Sequence, residues 1–228
     1  MADAVERAYQ LIRENIVTGR YESGQHLRSE ELALAVGVSR TPVREALRRL
    51  HSEGLVDFRT NYGAYVTGWT LGDLDEVFGL RTVLESYAAE LAATALTPAE
   101  IDQIGVLAET THTLALEKGP GFRDRIAVAN NALHAIIIGA AASRRLSAMI
   151  SGVMEMPLVM RTLSYYSDDA LLRSAGHHRE LCAAFRARDP RWAASIMRCH
   201  LLAAHNVMRG AIARAEGPPN TAFDDSRH

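Results

Sequence analysis

Apolar residues return at three- and four-residue intervals along most of this chain, and one short stretch breaks into the alternation of strands. Val5, Ala8, Leu11, Ile12 and Ile16 predict a helix over Val5 to Val17, ended by Gly19, with Gly24 in the turn that follows. Ser29 is expected to cap a second helix whose apolar face is Leu32, Ala33 and Val36, and Gly37 to end it. Val38 is expected as a buried plug. Ser39 then caps a third helix, with Pro42 near the first turn, where its missing N–H costs little, and Val43, Ala46, Leu47 and Leu50 towards the core. Leu55 to Phe58 and Ala64 to Thr67 read as two strands joined by a turn at Thr60 to Gly63.

A short linker at Thr67-Gly68-Trp69 separates this region from one that reads helical throughout. Leu74, Val77, Leu80, Leu84, Tyr87 and Leu91 share helical spacing; Leu96-Thr97-Pro98 breaks it, and Ile101, Ile104, Leu107 and Ala108 resume it. After a loop at Lys118 to Gly121, four more helices are predicted over Arg123–Gly139, Ser143–Tyr166, Asp169–Ala187 and Pro190–Ala215, with Pro157 kinking the second. The predicted fold is mainly α. An N-terminal winged helix-turn-helix over residues 1–68 precedes an all-helical antiparallel bundle over 70–215 and a flexible tail over 216–228, rich in Pro, Gly and Asp.

Composition narrows the function classes. With 228 residues and 48% hydrophobic content the chain can bury a substantial core, yet it has no apolar run long enough to span a bilayer. Its start carries both charge signs and lacks the apolar stretch of a signal peptide, and two cysteines make no disulfide framework, so a reduced cytoplasmic protein with no membrane contact is expected. The net charge is −2, and residues 1–68 balance nine Arg against nine acidic residues. Within residues 40–49, however, four Arg face one Glu, so the positive field is focused on one short helix, as suits a sequence reader rather than a bulk polyanion binder.

That helix carries Arg40, Thr41, Arg44 and Arg48 opposite its apolar face. Arginine can grip guanine bidentately or hold phosphate, and threonine suits a phosphate or a base methyl. A solvated arginine face on an ordinary helical subdomain is the plain alternative. The string VSRTPVREALRRLHSEGLV, followed by NYGAYV, resembles the winged-helix signature of the GntR superfamily of bacterial transcription regulators over roughly residues 5–68. The resemblance implies DNA contacts at Ser39, Arg40, Thr41 and Arg44, with Asn61, Tyr62 and Gly63 as the wing tip. Members commonly carry Glu-Arg ahead of the Leu-Ala of the second helix, and that arginine touches DNA; this chain has Ser29-Glu30 there, which shifts the expected phosphate contact towards Arg28.

The second region holds the candidate ligands. Asn130 and His134 stand four apart on one predicted helix and so point the same way, while His178 and His200 lie on two others. Three imidazoles from three helices can converge on one divalent ion, or they can be hydrogen-bonded core or surface residues. His177 points about a hundred degrees from His178, and His205 lies off the ridge of His200, so both are expected outside such a set. The region resembles the helical effector-binding (FCD) domain of the FadR-like branch, in its six-helix, VanR-like form, through Arg81-Thr-Val-Leu-Glu85, the Asn130 to His134 segment, His178-Arg-Glu-Leu and Met197-Arg-Cys-His200-Leu. In many relatives an Asp and three His bind Zn, Ni or a similar ion. The matching positions here are Asn130, His134, His178 and His200, and Zn²⁺ or Ni²⁺ suits so nitrogen-rich a set. Asn in place of Asp brings no negative charge, which makes an anionic effector an attractive way to restore balance.

Family effectors are commonly small carboxylic acids, and Arg81 corresponds to an arginine that often lines the pocket; an ion pair with Glu85 one turn on is its plain alternative. Effector contact is thus expected at Arg81, Asn130, His134, His178, His200 and Tyr165. Tyr166, Met149, Met154, Met156 and Met160 suit either a pocket wall or ordinary core. The expectation is a homodimeric, ligand-responsive regulator with no catalytic residues, binding double-stranded operator DNA and released by a small carboxylate. Its rivals are a metal-dependent hydrolase built on the three histidines and a helical scaffold that has lost DNA binding.

Overall fold

The computed structural model describes residues 2–68, 70–154 and 162–216. It is mainly helical, with a small sheet near the N-terminus. By contact, residues 1–69 with 142–164 form one compact unit and residues 70–141 with 165–228 another.

In the first unit, α1 (Ala2–Val17), α2 (Ser29–Val36) and α3 (Arg40–Ser52) enclose Ala8, Ile12, Leu32, Val43, Leu47 and Leu50. Gly37 ends α2 in the left-handed region at φ 73°, where a Cβ would be strained, and its N–H closes onto Ala33 and Leu34. Ser29 is not the cap: Arg28 holds that position without a side-chain bond, and Glu30 and Glu31 place their charge on the first turn. Val38 is half-buried against the core rather than fully enclosed. The two expected strands pair as a hairpin, and a third strand joins their sheet. β1 (His26–Leu27) pairs antiparallel with β3 (Gly63–Val66), and β3 with β2 (Val56–Arg59). A two-residue strand has no alternation for a sequence pattern to show.

In the second unit, α4 (Leu71–Ala95), α5 (Pro98–Glu117), α6 (Phe122–Ala140), α8 (Asp168–Arg186) and α9 (Pro190–Glu216) share one core that includes Ala92, Ile104, Leu133, Leu181, Phe185 and Leu201. Capping boxes at Thr70/Asp73 and Thr97/Glu100 start α4 and α5. Ion pairs Asp102–Arg186 and Glu109–Arg179 show α5 and α8 running antiparallel.

The large apolar residues mislead about α4. Leu74 and Val77 are buried as expected, but Leu80 and Tyr87 are 46% and 52% exposed. The buried face carries Arg81, Thr82, Glu85 and Ser86 among alanines instead. Of the single helix expected over Ser143–Tyr166, the described residues show α7 (Arg144–Met154) and a 3-10 turn over Thr162–Tyr165. Pro157, with its expected kink, lies outside the described residues, as do Trp69, Met156, Met160 and residues 217–228 of the expected tail.

Candidate metal centre and nucleic-acid interface

Three helices deliver the histidines. His134 comes from α6, His178 from α8 and His200 from α9; all are buried, and one ring nitrogen from each lies within 4.8 Å of the others. Ring centroids stand 4.7 Å apart for His178–His200, 5.2 Å for His134–His200 and 5.7 Å for His134–His178. Nε2 of His134, both ring nitrogens of His178 and Nδ1 of His200 are buried without a hydrogen-bond partner. Orphaned polar atoms of this kind are costly in a core unless something binds them.

The electrostatics favour lone pairs at this point. Burial, with the neighbouring His134 and His177, pushes the pKa of His178 down to about 3. Burial also takes His200 well below the usual imidazole range, helped by the surrounding histidines and the charge of Arg81. Neutral imidazoles with free nitrogens are the form that binds a cation without first losing a proton. The donor set therefore fits a divalent ion with a preference for nitrogen ligands.

Glu85, on α4, sets the state of one of these rings. His134 Nδ1 lies 2.9 Å from Glu85 Oε2, and Arg81 Nε donates to Glu85 Oε1 at 2.7 Å. Burial raises the pKa of Glu85, but the Arg81 charge and the His134 hydrogen bond outweigh it and hold the carboxyl well below its usual range. An ionised carboxylate only accepts, so Nδ1 of His134 carries a proton and donates to it, while Nε2 of the same ring is buried without a partner. The alternative partner for Arg81 read from sequence is thus the one it has, in a pair whose side chains are only 7% and 1% exposed.

Asn130 stands one turn before His134, half-buried, and its amide nitrogen donates to Asn131 Oδ1 at 3.2 Å. His177 lies nearer than its helix position suggests, its ring 5.9 Å from that of His200. His205 turns elsewhere, stacking on Phe78 and bonding to Asp75 at 2.7 Å. Tyr165 is 38% exposed, whereas Tyr166 is buried; burial pushes its phenol up to about 12, against the opposing charge of Arg81. Sequence reasoning missed Glu85 as the partner of His134. The four-residue spacing of Arg81 and Glu85 was the available signal, and it gave no indication of burial.

In the first unit, α3 buries Pro42, Val43, Ala46, Leu47 and Leu50 and exposes Arg40, Thr41, Arg44 and Arg48. Ser39 precedes it with no side-chain cap bond. The arginines are not equivalent. Arg40 pairs with Glu30 at 2.5 Å, and Arg28 with Glu31 at 3.4 Å. Arg49 is held by Glu6 and Glu53 over the ring of Tyr9. Arg44 and Arg48 have no ion pair among the described residues. They share a concavity with Arg28, Glu30, His26 and Phe58. At the wing tip Asn61 and Gly63 take positive φ, and Tyr62 is 70% exposed. A Cβ on Gly63 would meet His26 Nε2 at 3.0 Å, so the turn needs glycine on two counts.

Comparison with known proteins agrees with both halves. Residues 4–66 match the family described as "Bacterial regulatory proteins, gntR family", and residues 76–203 match the FCD domain. The probable D-xylose utilization operon transcriptional repressor of Paenarthrobacter nicotinovorans is 31% identical over 189 residues, 82% of this chain and 81% of that protein. YdhC of Bacillus subtilis (strain 168), an uncharacterized HTH-type transcriptional regulator, is 27% identical over 76% of each chain. Among solved structures, E. coli McbR/YncC superposes with a TM-score of 0.73 at 23% identity, covering 93% of this chain and all 100% of that one, a likeness of fold.

Proposed function

The chain belongs to the GntR family of bacterial regulatory proteins and carries an FCD domain, and on that premise we propose a homodimeric transcriptional repressor that a small carboxylic acid releases from operator DNA. Members of this family are DNA-binding regulators, not enzymes. The hydrolase alternative has a further difficulty: both oxygens of Glu85 are already taken, by Arg81 and His134, which leaves that carboxylate no role as a general base. The repressor sense is supported by the relative named as a probable repressor of a D-xylose utilization operon.

One observation carries the effector half of the reading: one ring nitrogen from each of His134, His178 and His200 lies within 4.8 Å of the others, and each of the three rings has a buried nitrogen without a partner. These three residues would hold a divalent ion, Zn²⁺ or Ni²⁺, with Asn130 as a neutral oxygen donor beside them. When bound, that ion offers a Lewis-acidic position to a carboxylate. Arg81 uses Nε on Glu85, so its terminal nitrogens are the fork for the far side of an acid, with Tyr166 close enough to feel its charge and Tyr165 as a further effector contact. In the winged domain Arg44 and Arg48 grip the duplex, joined by Ser39, Thr41, Arg28 and the tip from Asn61 to Gly63. Residues 1–68 then serve as the reading head and 70–215 as effector and dimer domain. An effector acts only if it binds the released arrangement more tightly than the DNA-bound one.

The test uses untagged full chain purified without added metal. Metal content is measured first, then anisotropy of a labelled fragment of the adjoining promoter, with a panel of sugar acids, aromatic acids and amino acids. A bound ion, salt-dependent DNA binding and release by one acid class bear the reading out. A protein that binds the promoter but holds no metal, even after Zn²⁺ or Ni²⁺ is supplied, removes the metal half of it.

A further inference from the structure

We propose that Glu85 is a positioning residue of the three-histidine site and supplies the negative charge that Asn130 does not, while Arg81 sets how much of that charge the site feels. The inference rests on the metal reading above and goes beyond it to the electrostatic balance of the centre. A dication held by three neutral imidazoles and an amide meets no anionic ligand. Among the described residues, no carboxylate oxygen joins the converging ring nitrogens. Glu85 is the buried carboxylate one imidazole away, bound to His134 through Nδ1.

That connection does two things. It fixes the ring through Nδ1, so that Nε2 of His134, itself buried without a partner, is the nitrogen left for an ion. It also makes His134 a more basic donor, because the carboxylate stabilises positive charge that spreads onto the ring. Carboxylate–histidine–metal chains tune affinity in this way, and losing the outer carboxylate typically costs about 10- to 100-fold in metal affinity.

Arg81 works against it. Its guanidinium neutralises part of the Glu85 charge through the 2.7 Å bond, and its field reaches His200, where it disfavours added positive charge. If the Arg81–Glu85 pair were only a brace for the bundle, removing either member would loosen the site. If the pair is an electrostatic control, the two removals act in opposite directions. An acid that draws on Arg81 would then also strengthen the hold on the ion, a reciprocal coupling of effector and metal.

The experiment titrates metal-free full chain with Co²⁺ at about pH 8, followed by visible absorption, with Zn²⁺ affinity measured by competition against a chromophoric chelator. Glu85→Gln is expected to bind about 10- to 100-fold more weakly than wild type. Arg81→Gln is expected to bind several-fold more tightly. Should Glu85→Gln fail to fold by circular dichroism, the sign of the Arg81→Gln effect alone decides. Weaker binding in both variants makes the pair a structural brace and overturns the proposal, as does unchanged affinity in both. A wild-type chain that binds neither Co²⁺ nor Zn²⁺ overturns the metal reading itself, and this inference with it.

Discussion

Glu30 Oε1 lies 2.5 Å from Arg40 Nη1, so a carboxylate on α2 occupies the first arginine of α3, the helix proposed above to face DNA. Both side chains are solvent-exposed, so the pair adds little to stability. Its effect falls on recognition, where a phosphate must compete with Glu30 for the guanidinium. Replacement of Glu30 by Ala is expected to raise affinity for a duplex of arbitrary sequence several-fold. The slope of log affinity against log salt should steepen by about one as Arg40 gains a phosphate. Fluorescence anisotropy over a salt series measures both, and identical slopes would show that Arg40 does not reach the backbone.

Arg44 and Arg49 should separate cleanly, although both are arginines of α3. Arg44 is exposed with no ion pair among the described residues, so Arg44→Ala is expected to cost about 1–3 kcal/mol of operator binding and leave thermal stability unchanged. Arg49 is engaged with Glu6, Glu53 and the Tyr9 ring, so Arg49→Ala should lower the melting temperature and leave DNA affinity nearly intact. Paired melting and anisotropy measurements check this, and a reversed pattern would mean that a different face of α3 meets DNA.

His134→Ala removes a ring nitrogen from the cluster and strands Glu85 with Arg81 as its one partner. Elemental analysis of wild type should give about one ion per chain, as expected of a single site. His134→Ala should lose it, and His205→Ala should keep it, because His205 is bound to Asp75 instead. Retention of the ion in His134→Ala would place the site elsewhere.

Acid should destabilise the metal-free protein earlier than its carboxylates alone would. The folded pKa of His178 is depressed to about 3, below its ordinary 6.5, so the unfolded chain takes up that proton first. Stability from this group is whole above about pH 6.5 and is lost as pH falls towards about 3, at roughly 1.4 kcal/mol per pH unit within that window. The shift at His200 has the same sign. Melting of chelator-treated protein between about pH 7 and about pH 5 should show the fall, and His178→Phe should flatten it. Equal slopes in the two proteins would mean that His178 is not held neutral in the fold.

Much of the site was legible because its parts repeat at fixed intervals within one element. The apolar face Val43, Ala46, Leu47 and Leu50 implies the opposite face of Arg40, Thr41, Arg44 and Arg48, and α3 carries both as expected. Rings on three separate helices are a different matter, since nothing in the spacing of His134, His178 and His200 brings them together. The resemblance to a known domain singled out those positions, and packing of α6, α8 and α9 supplies their proximity.

By itself the sequence determined most of the helices, two of the three strands of the small sheet and the arginine face, because these follow from local periodicity and from motifs carried in short strings. Only the tertiary structure decided which polar groups are buried and whom they meet. α4 is the clearest case. Its long side chains Leu80 and Tyr87 face out, and beyond Leu74, Val77 and Phe78 the buried face is small or polar, with Arg81, Thr82, Glu85 and Ser86 ahead of Ala88, Ala89, Ala92 and Ala93. Packing of the helices takes Arg81 and Glu85 out of water and sets Glu85 against His134, 49 residues away. It also turns His177 towards His200 and His205 towards Asp75. Protonation, tautomer and charge balance depend on distances across the chain and on exclusion of solvent, and neither is written in the order of the residues.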